Sequence, residues 1–205
     1  TVTPDQMAAG FASVTWPCRV EYLSPKGAEL SDAVVVSDGA HNADSIDRLL
    51  ESVPELVPGP ELVPGRVVLV FGALSGHSAS GMLGQLAWLL PKVVTVRSRH
   101  PRAIHAGDIA EMARDQSLGV IGEHDTVADG MRRAVEAAGK GDVVLATGSI
   151  SVAAEAREWA LGIEPECYPN IRPPDGPPQD QRDDPSEDRA AHATKAGASG
   201  TSAGP

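Results

Sequence analysis

A cluster of polar side chains follows a short apolar run in the first quarter of the chain. The run Val34-Val35-Val36 is β-branched, which is typical of a strand covered on both faces. Asp38, His41 and Asn42 come directly after it, where an amphipathic helix begins, and Gly39 allows a sharp turn between the two elements. Proteins of alternating strands and helices bind ligands at this edge of the sheet, and a helix N-terminus attracts phosphate or carboxylate. The stretch therefore predicts a site for an anionic ligand.

Two further residues have side chains suited to such a ligand. Arg19 precedes the run, and its planar guanidinium matches phosphate or ribose oxygens. Ser149 follows a buried strand at the start of the last helix, so its hydroxyl and nearby backbone N–H groups can face an anion. Each candidate also has a structural interpretation. Asp38 can cap its own turn, Arg19 can form a surface salt bridge, and Ser149 can be a plain N-cap.

Hydrophobic periodicity predicts the elements that must hold these side chains. Apolar or alternating runs predict strands over residues 19–23, 33–37, 66–71, 93–96, 119–121 and 142–146. Helical spacing predicts helices over residues 42–53, 78–90, 108–116, 126–139 and 150–161. Strands that alternate with helices of this length form βαβ units. We therefore expect an α/β fold with a Rossmann-like, mainly parallel sheet flanked by helices.

The composition indicates one domain with polar extensions. We interpret residues 1–15 as a connector and the near-duplicated Pro/Gly segment at 54–65 as a local insertion. Residues 16–165 form the domain. Residues 172–205 contain no large apolar side chain, so burial cannot offset the entropy of ordering them, and we expect a disordered tail.

Charge and hydropathy exclude several classes of partner. The net charge of −11 argues against a nucleic-acid backbone as partner. No run approaches the roughly 18 apolar residues that cross a bilayer, and the first residues lack the features of a signal peptide. Cys18 and Cys167 do not make a disulfide framework, so we expect reduced thiols in the cytoplasm. The chain does not begin with Met, which suggests a piece of a longer protein.

The polar cluster also resembles a known signature. Asp38-Gly39-Ala40-His41-Asn42 resembles the DGAHN motif of folylpolyglutamate synthases and dihydrofolate synthases, which belong to the Mur ligase superfamily. Four other segments agree with that family in order and spacing: Trp16-Pro17-Cys18-Arg19-Val20-Glu21 with W-P-G-R-L-E, Phe71-Gly72 with F-G, Pro101-Arg102-Ala103 with P-R-A, and Thr147-Gly148-Ser149 with T-G-S. The resemblance covers residues 10–165, the family's C-terminal domain.

This resemblance implies an ATP-dependent amide ligase. In the family, ATP phosphorylates a folate or dihydropteroate carboxylate, and the amine of L-glutamate attacks the acyl phosphate. It implies that Asp38 accepts hydrogen bonds from the ribose, that Arg19 contacts the nucleotide, and that His41 and Ser149 bind the glutamate. The phosphate loop and Mg²⁺ ligands of the family lie in a preceding N-terminal ATPase domain, and this sequence contains no G-x-x-x-x-G-K-[ST]. We therefore expect no catalytic residue or metal ligand here, and no turnover of ATP by this chain alone.

The sequence departs from the family pattern at three places. Gly76-His77-Ser78 stands where the family often has D-K-D, Cys18 replaces a Gly, and Ala43 replaces a Pro. Two alternatives stay open. One is a Mur-type ligase domain that adds an amino acid to a peptidoglycan precursor, although the W-P-x-R and DGAHN forms favour the folate branch of the superfamily. The other is a non-catalytic nucleotide-binding module without an ATPase half, which the altered D-K-D segment and the absent phosphate loop leave open. The histidines at 77, 100, 105 and 124 lack compact metal-ligand spacing, and we expect them at the surface.

Overall fold

The computed structural model describes residues 2–25, 33–56 and 64–165, with the side chains of residues 52–56 left out. Six strands form one sheet in the order β1-β2-β6-β3-β4-β5. The strands are β1 (Glu21–Leu23), β2 (Val34–Ser37), β3 (Val67–Phe71), β4 (Lys92–Val96), β5 (Gly119–His124) and β6 (Val143–Thr147). All neighbouring strands pair in parallel except β1, which lies antiparallel to β2 at the edge. The expected Rossmann-like, mainly parallel sheet is confirmed.

Six α-helices accompany the described strands. They are α1 (Pro4–Ala12), α2 (Ala43–Leu56), α3 (Ala79–Leu86), α4 (Ala106–Asp115), α5 (Val127–Ala137) and α6 (Ile150–Leu161). A 3₁₀ turn over Ala87–Leu89 extends α3, so the helix predicted over residues 78–90 divides into two pieces. Elsewhere in the described domain, the predicted elements agree with those observed apart from their ends.

Both faces of the sheet are covered, and the alternation along β3 shows how. Val67, Leu69 and Phe71 belong to a core cluster with apolar side chains of α2, α3 and α4. Val68 and Val70 belong to a second cluster with side chains of α5 and α6. All five side chains are at most 1% exposed. A strand buried on both faces has no polar alternation, which is why β3 is a continuous apolar run in the sequence.

The beginning of the chain contains a helix that the sequence interpretation did not include. Thr3 and Gln6 form a complete capping box, and Pro4 occupies the first helical position of α1. No residue of α1 is buried. The expected connector over residues 1–15 thus contains a helix, whereas most of the predicted insertion at 54–65 and the whole predicted tail at 172–205 lie outside the described residues.

Within the described ranges, no helix has the length and apolar character needed to span a bilayer.

Candidate functional site

The carboxylate of Asp38 lies at the carboxyl end of β2 and is only 7% exposed. Its Oδ1 accepts a hydrogen bond from the backbone N–H of Ala40 at 2.8 Å, within its own turn. Its Oδ2 accepts one from the backbone N–H of Val20 at 2.9 Å. Asp38 therefore caps its turn, as one interpretation predicted, and also fastens the segment before β1 to the end of β2.

The segment that contains Arg19 has an unusual backbone. Cys18 and Val20 have φ angles of 59° and 42°, in the left-handed region. A β-branched residue there is a true outlier, and Gly is the residue that adopts such angles freely. The W-P-G-R pattern that this segment resembles has Gly at the position of Cys18, and Cys18 has a φ angle that Gly adopts freely.

Hydrogen bonds from three directions hold this strained turn. The backbone N–H of Gly39 donates to the carbonyl oxygen of Cys18 at 2.9 Å. The backbone N–H of Cys18 donates to Oε2 of Glu21 at 2.9 Å, and Oε1 of Glu21 accepts from Nε of Arg157 in α6 at 2.9 Å. Burial raises the pKa of the Cys18 thiol, and the nearby carboxylate of Glu21 adds to that shift. A raised pKa favours the protonated thiol over the reactive thiolate. The side chain of Arg19, in the same turn, is exposed.

His41 and Asn42 start helix α2 together. The side chain of Asn42 accepts from the backbone N–H of Ser45 at 2.8 Å, and the hydroxyl of Ser45 accepts from the backbone N–H of Asn42 at 3.0 Å. This reciprocal pair is a capping box, so Asn42 is the N-cap of α2. The hydroxyl of Ser45 also accepts from the backbone N–H of His41 at 2.9 Å. The exposed imidazole of His41 has Nδ1 at 2.9 Å from the carbonyl oxygen of Gly39.

Ser149 is the N-cap of α6 and is 1% exposed. Its Oγ accepts from the backbone N–H of Val152 at 3.2 Å, which is the N-cap interaction that the sequence left as an alternative. The neighbouring Gly148 donates its backbone N–H to the carbonyl oxygen of Ala40 at 3.1 Å. The turn after β6 is therefore tied to the turn after β2.

These segments enclose an open cleft of about 710 Å³ at the carboxyl end of β2. Arg19, Asp38 and His41 line it together. The motif did not point to Arg48 and Leu49 of α2 or to Ile150 of α6, which also line the cleft. Positions 48 and 49 lie about two turns into α2, so helical spacing from His41 is the signal that could have identified them. Ser149 is not among the lining residues, so the structure brings three of the four predicted site residues to one cleft.

The polar groups that line this cleft are suited to binding a ligand rather than to covalent chemistry. A guanidinium, a fixed carboxylate and an imidazole can hold hydroxyl and anionic groups. Over the described residues, no three His, Cys, Asp or Glu side chains are grouped so as to hold a metal ion. The expectation that the other described histidines lie at the surface holds for His105, whereas His77, His100 and His124 are half-buried. Burial lowers the pKa of His100, and Arg102 lowers it further.

The sheet order, its covering helices and a cleft at the carboxyl end of a parallel strand define a ligand-binding α/β domain of the doubly wound type. The chain belongs to the Mur ligase family, because its residues 19–150 match the family's glutamate ligase domain. This match includes Arg19, Asp38, His41 and Ser149.

The chain is also similar to proteins named folylpolyglutamate synthases. A protein of Halobacterium salinarum named "Probable bifunctional folylpolyglutamate synthase/dihydropteroate synthase" is 31% identical over 159 residues, which cover 76% of this chain and 18% of that protein. The folylpolyglutamate synthase of Lacticaseibacillus casei is 25% identical over 78% of this chain and 33% of its own length. The structure of E. coli FolC with DHPP and ADP superposes with a TM-score of 0.62 at 25% identity, over 77% of this chain and 34% of that one. This chain therefore spans between 18% and 34% of the length of these proteins.

Proposed function

We propose that this chain is the C-terminal domain of an ATP-dependent ligase that joins L-glutamate to a folate-type carboxylate, either folate or dihydropteroate. The observation that carries the proposal is the convergence of Arg19, Asp38 and His41 on one cleft. Membership of the Mur ligase family and the names of the relatives support it. In this proposal the domain contributes binding groups, and the chemistry takes place where it meets an ATPase domain.

The nucleotide is assigned to Asp38 and Arg19. Each carboxylate oxygen of Asp38 holds one backbone N–H and keeps a lone pair that can accept from a ribose hydroxyl. The two backbone bonds fix the carboxylate in advance, so little ordering is needed when the sugar binds. The guanidinium of Arg19 presents several donors to ribose or phosphate oxygens.

The amino acid is assigned to His41 and Ser149. Nδ1 of His41 is within hydrogen-bonding distance of a backbone carbonyl oxygen and donates to it. In the imidazolium form, Nε2–H is then left to donate to a carboxylate. Ser149 accepts one N–H bond, and its own hydroxyl hydrogen remains to donate. Because Ser149 is nearly fully buried, its part depends on a rearrangement of the turn, and the support for His41 is stronger.

The remaining parts of the reaction are assigned to an N-terminal ATPase domain. The sequence has no phosphate-loop motif, and the described residues do not fit a Mg²⁺ site. We propose that this partner domain holds the Mg²⁺ and the phosphates of ATP. We also propose that the ligase is cytoplasmic, in keeping with the free thiol of Cys18.

The experiment is an ADP-release assay on the longest native polypeptide that contains this domain. We expect ADP release to require both L-glutamate and a pteroate or folate substrate, with glutamylated product found by mass spectrometry. Assays with dihydropteroate and with tetrahydrofolate in parallel separate the two substrate classes. Release that depends on a peptidoglycan precursor instead would assign the domain to the Mur-type ligases.

A second candidate is a non-catalytic nucleotide-binding module. The observation in its favour is Gly76-His77-Ser78, which replaces two acids and a lysine of the D-K-D pattern. In the same assay this candidate predicts nucleotide binding, measured by calorimetry, without glutamate-dependent ADP release.

A further inference from the structure

Two imidazole rings are in contact, and that of His41 belongs to a residue that lines the cleft. The ring centroids of His41 and His77 are 5.5 Å apart, and their planes are inclined at 78°, an edge-to-face contact. His41 follows β2 and His77 follows β3. These strands are not neighbours, because β6 lies between them. The contact therefore joins the loops of two strands across the end of a third.

The contact restrains the imidazole of His41, which otherwise has one described hydrogen-bond partner. His41 is exposed, and its imidazole has a single described hydrogen-bond partner, the carbonyl oxygen of Gly39. One hydrogen bond donated by Nδ1 permits the ring to rotate about that contact. The edge-to-face contact with His77, from an independent segment, restricts this rotation and favours one position of Nε2.

The segment of His77 is itself well held. The backbone N–H of Ala79 donates to the carbonyl oxygen of His77 at 2.9 Å. Ser78 is the N-cap of α3 and accepts from the backbone N–H of Gly81 at 3.1 Å. The ring of His77 is half-buried, whereas that of His41 is exposed. The ring of His77 is thus the more restricted of the two, and it limits the motion of the His41 ring.

We propose that His77 is a positioning residue that orients the imidazole of His41 toward the carboxylate of the incoming amino acid. The assignment of glutamate to His41 is part of the proposed function, and this inference rests on it. The proposal gives position 77 a task through ring contact, which requires an aromatic side chain there rather than a charge.

The first test is steady-state kinetics on the longest native polypeptide that contains the domain. His77→Ala should raise KM for L-glutamate about 2- to 10-fold, the range of an aromatic pair, with KM for ATP and kcat within about twofold of the wild type. His77→Phe keeps a ring and should restore KM for glutamate. His105→Ala removes an exposed histidine away from the cleft and is the matched control. A wild-type KM for glutamate in His77→Ala, or no rescue by His77→Phe, would overturn the proposal.

The second test does not depend on activity. Long-range ¹H–¹⁵N NMR spectra of the histidine rings in the 205-residue chain report the tautomer and order of His41 without substrate. We expect His77→Ala to shift and broaden the His41 ring signals, and His77→Phe to leave them sharp. Unchanged His41 signals in His77→Ala would refute the positioning role. If the wild-type enzyme forms no glutamylated product, the proposed function fails, and the spectra still decide whether His77 holds His41.

Discussion

At the scale of single residues, Asp38 shows how a residue with a proposed binding role can also have a structural one. Its two interpretations from the sequence, a ligand for ribose and a cap for its own turn, are compatible because a carboxylate has about four acceptor sites. The bond to Ala40 follows from the local motif. The bond to Val20 does not, since it depends on the left-handed backbone of a turn 18 residues away. The sequence therefore identifies Asp38 as a candidate but does not predict its hydrogen bond with Val20.

Because Asp38 has both a proposed binding role and a structural role, its substitution should affect stability as well as kinetics, unlike substitution of His41. Asp38→Ala should raise KM for ATP and also lower stability, because it leaves the buried N–H of Ala40 unpaired at a cost of about 1–3 kcal/mol. His41→Ala should raise KM for glutamate and leave stability unchanged, because its side chain is exposed. A lost hydrogen bond to a bound group corresponds to roughly a 2- to 150-fold fall in kcat/KM.

The measurement is steady-state kinetics with each substrate varied in turn, together with thermal melts of the same proteins. Asp38→Asn is the matched variant, since it keeps one acceptor oxygen and the shape of the side chain. We expect it to recover part of the stability that Asp38→Ala loses. Wild-type kinetics for both alanine variants would refute the site assignment.

Gly148, in the turn after β6, is required for space as well as for conformation. Its φ angle is 101°, and a Cβ would lie 2.7 Å from the carbonyl oxygen of Gly72 and 2.7 Å from Cε2 of Phe71. Gly76 also has a positive φ angle, of 91°, but a Cβ there would meet nothing within 4 Å. A substitution at Gly76 thus tests backbone strain alone, whereas one at Gly148 tests backbone strain together with steric overlap.

We predict that Gly148→Ala destabilises the domain by about 1–3 kcal/mol more than Gly76→Ala does. Both variants bear the backbone cost, and only Gly148→Ala adds overlap in a packed interior. Urea unfolding monitored by circular dichroism measures the difference. Equal free energies of unfolding would show that the turn after β6 can move aside.

At the scale of elements, the strongly apolar strands were predictable and the weakly patterned ends were not. The apolar runs of β3 and β6 gave strands within one or two residues of those observed. The predicted β5 ended at residue 121, because Gly122 and Glu123 are poor strand formers. In the structure these residues pair with β4, and the strand continues to His124. Helix α1 was missed, although its capping box was present in the sequence as a Thr three residues before a Gln.

The two phenylalanines of the chain test how these elements contribute to stability. Phe11 in α1 is 80% exposed, and Phe71 at the end of β3 is fully buried. Phe71→Ala should cost about 3–5 kcal/mol, which for a domain of this size lowers the melting temperature by roughly 6–20 °C. Phe11→Ala should leave it within about 2 °C. A large loss in Phe11→Ala would show that α1 packs against the domain in solution.

Glu155, in the middle of α6, gives the fold a pH dependence. It is 5% exposed and accepts the backbone N–H of Arg99 at 2.7 Å. Burial raises the pKa of this carboxyl above its ordinary value of 4.5, although the bond and charge of Arg99 oppose the shift. The folded state therefore favours the protonated form. Its contribution to stability is complete below the ordinary value and is lost as the pH rises through the raised one.

We predict that Glu155→Gln, which removes this titration, gains stability relative to the wild type as the pH rises. The difference in melting temperature, variant minus wild type, should be larger at pH 7.5 than at pH 4.5. Glu111→Gln on the exposed face of α4 is the control for removal of one negative charge. A difference that shrinks as the pH rises would mean that the ion pair with Arg99 outweighs burial.

At the scale of the whole molecule, the proposed function makes the cleft one wall of a site. It assigns sugar and carboxylate to the groups of the cleft. The sequence has no phosphate-loop motif, and the described residues contain no metal-ion cluster. The candidate residues could be named from the sequence because they belong to short motifs. Their convergence was not predictable, since it depends on the antiparallel edge strand β1, which returns Arg19 to the end of β2. This chain covers 18% and 33% of the length of two of its relatives, and the proposed function assigns the activation of ATP to a preceding domain.

We therefore predict that the 205-residue chain alone neither hydrolyses ATP nor ligates glutamate. Binding through ribose and one guanidinium, without phosphate or metal contacts, should be weak, and millimolar dissociation constants correspond to only about 4 kcal/mol. A coupled ADP assay at high protein concentration, with and without Mg²⁺, measures turnover, and NMR titration with ADP measures binding at the signals of Arg19 and Asp38. The Asp38→Asn chain is the control, because it should lose the ADP-induced shifts while keeping its fold. Magnesium-dependent ADP release by the wild-type chain that Asp38→Asn abolishes would show that the cleft activates phosphate by itself.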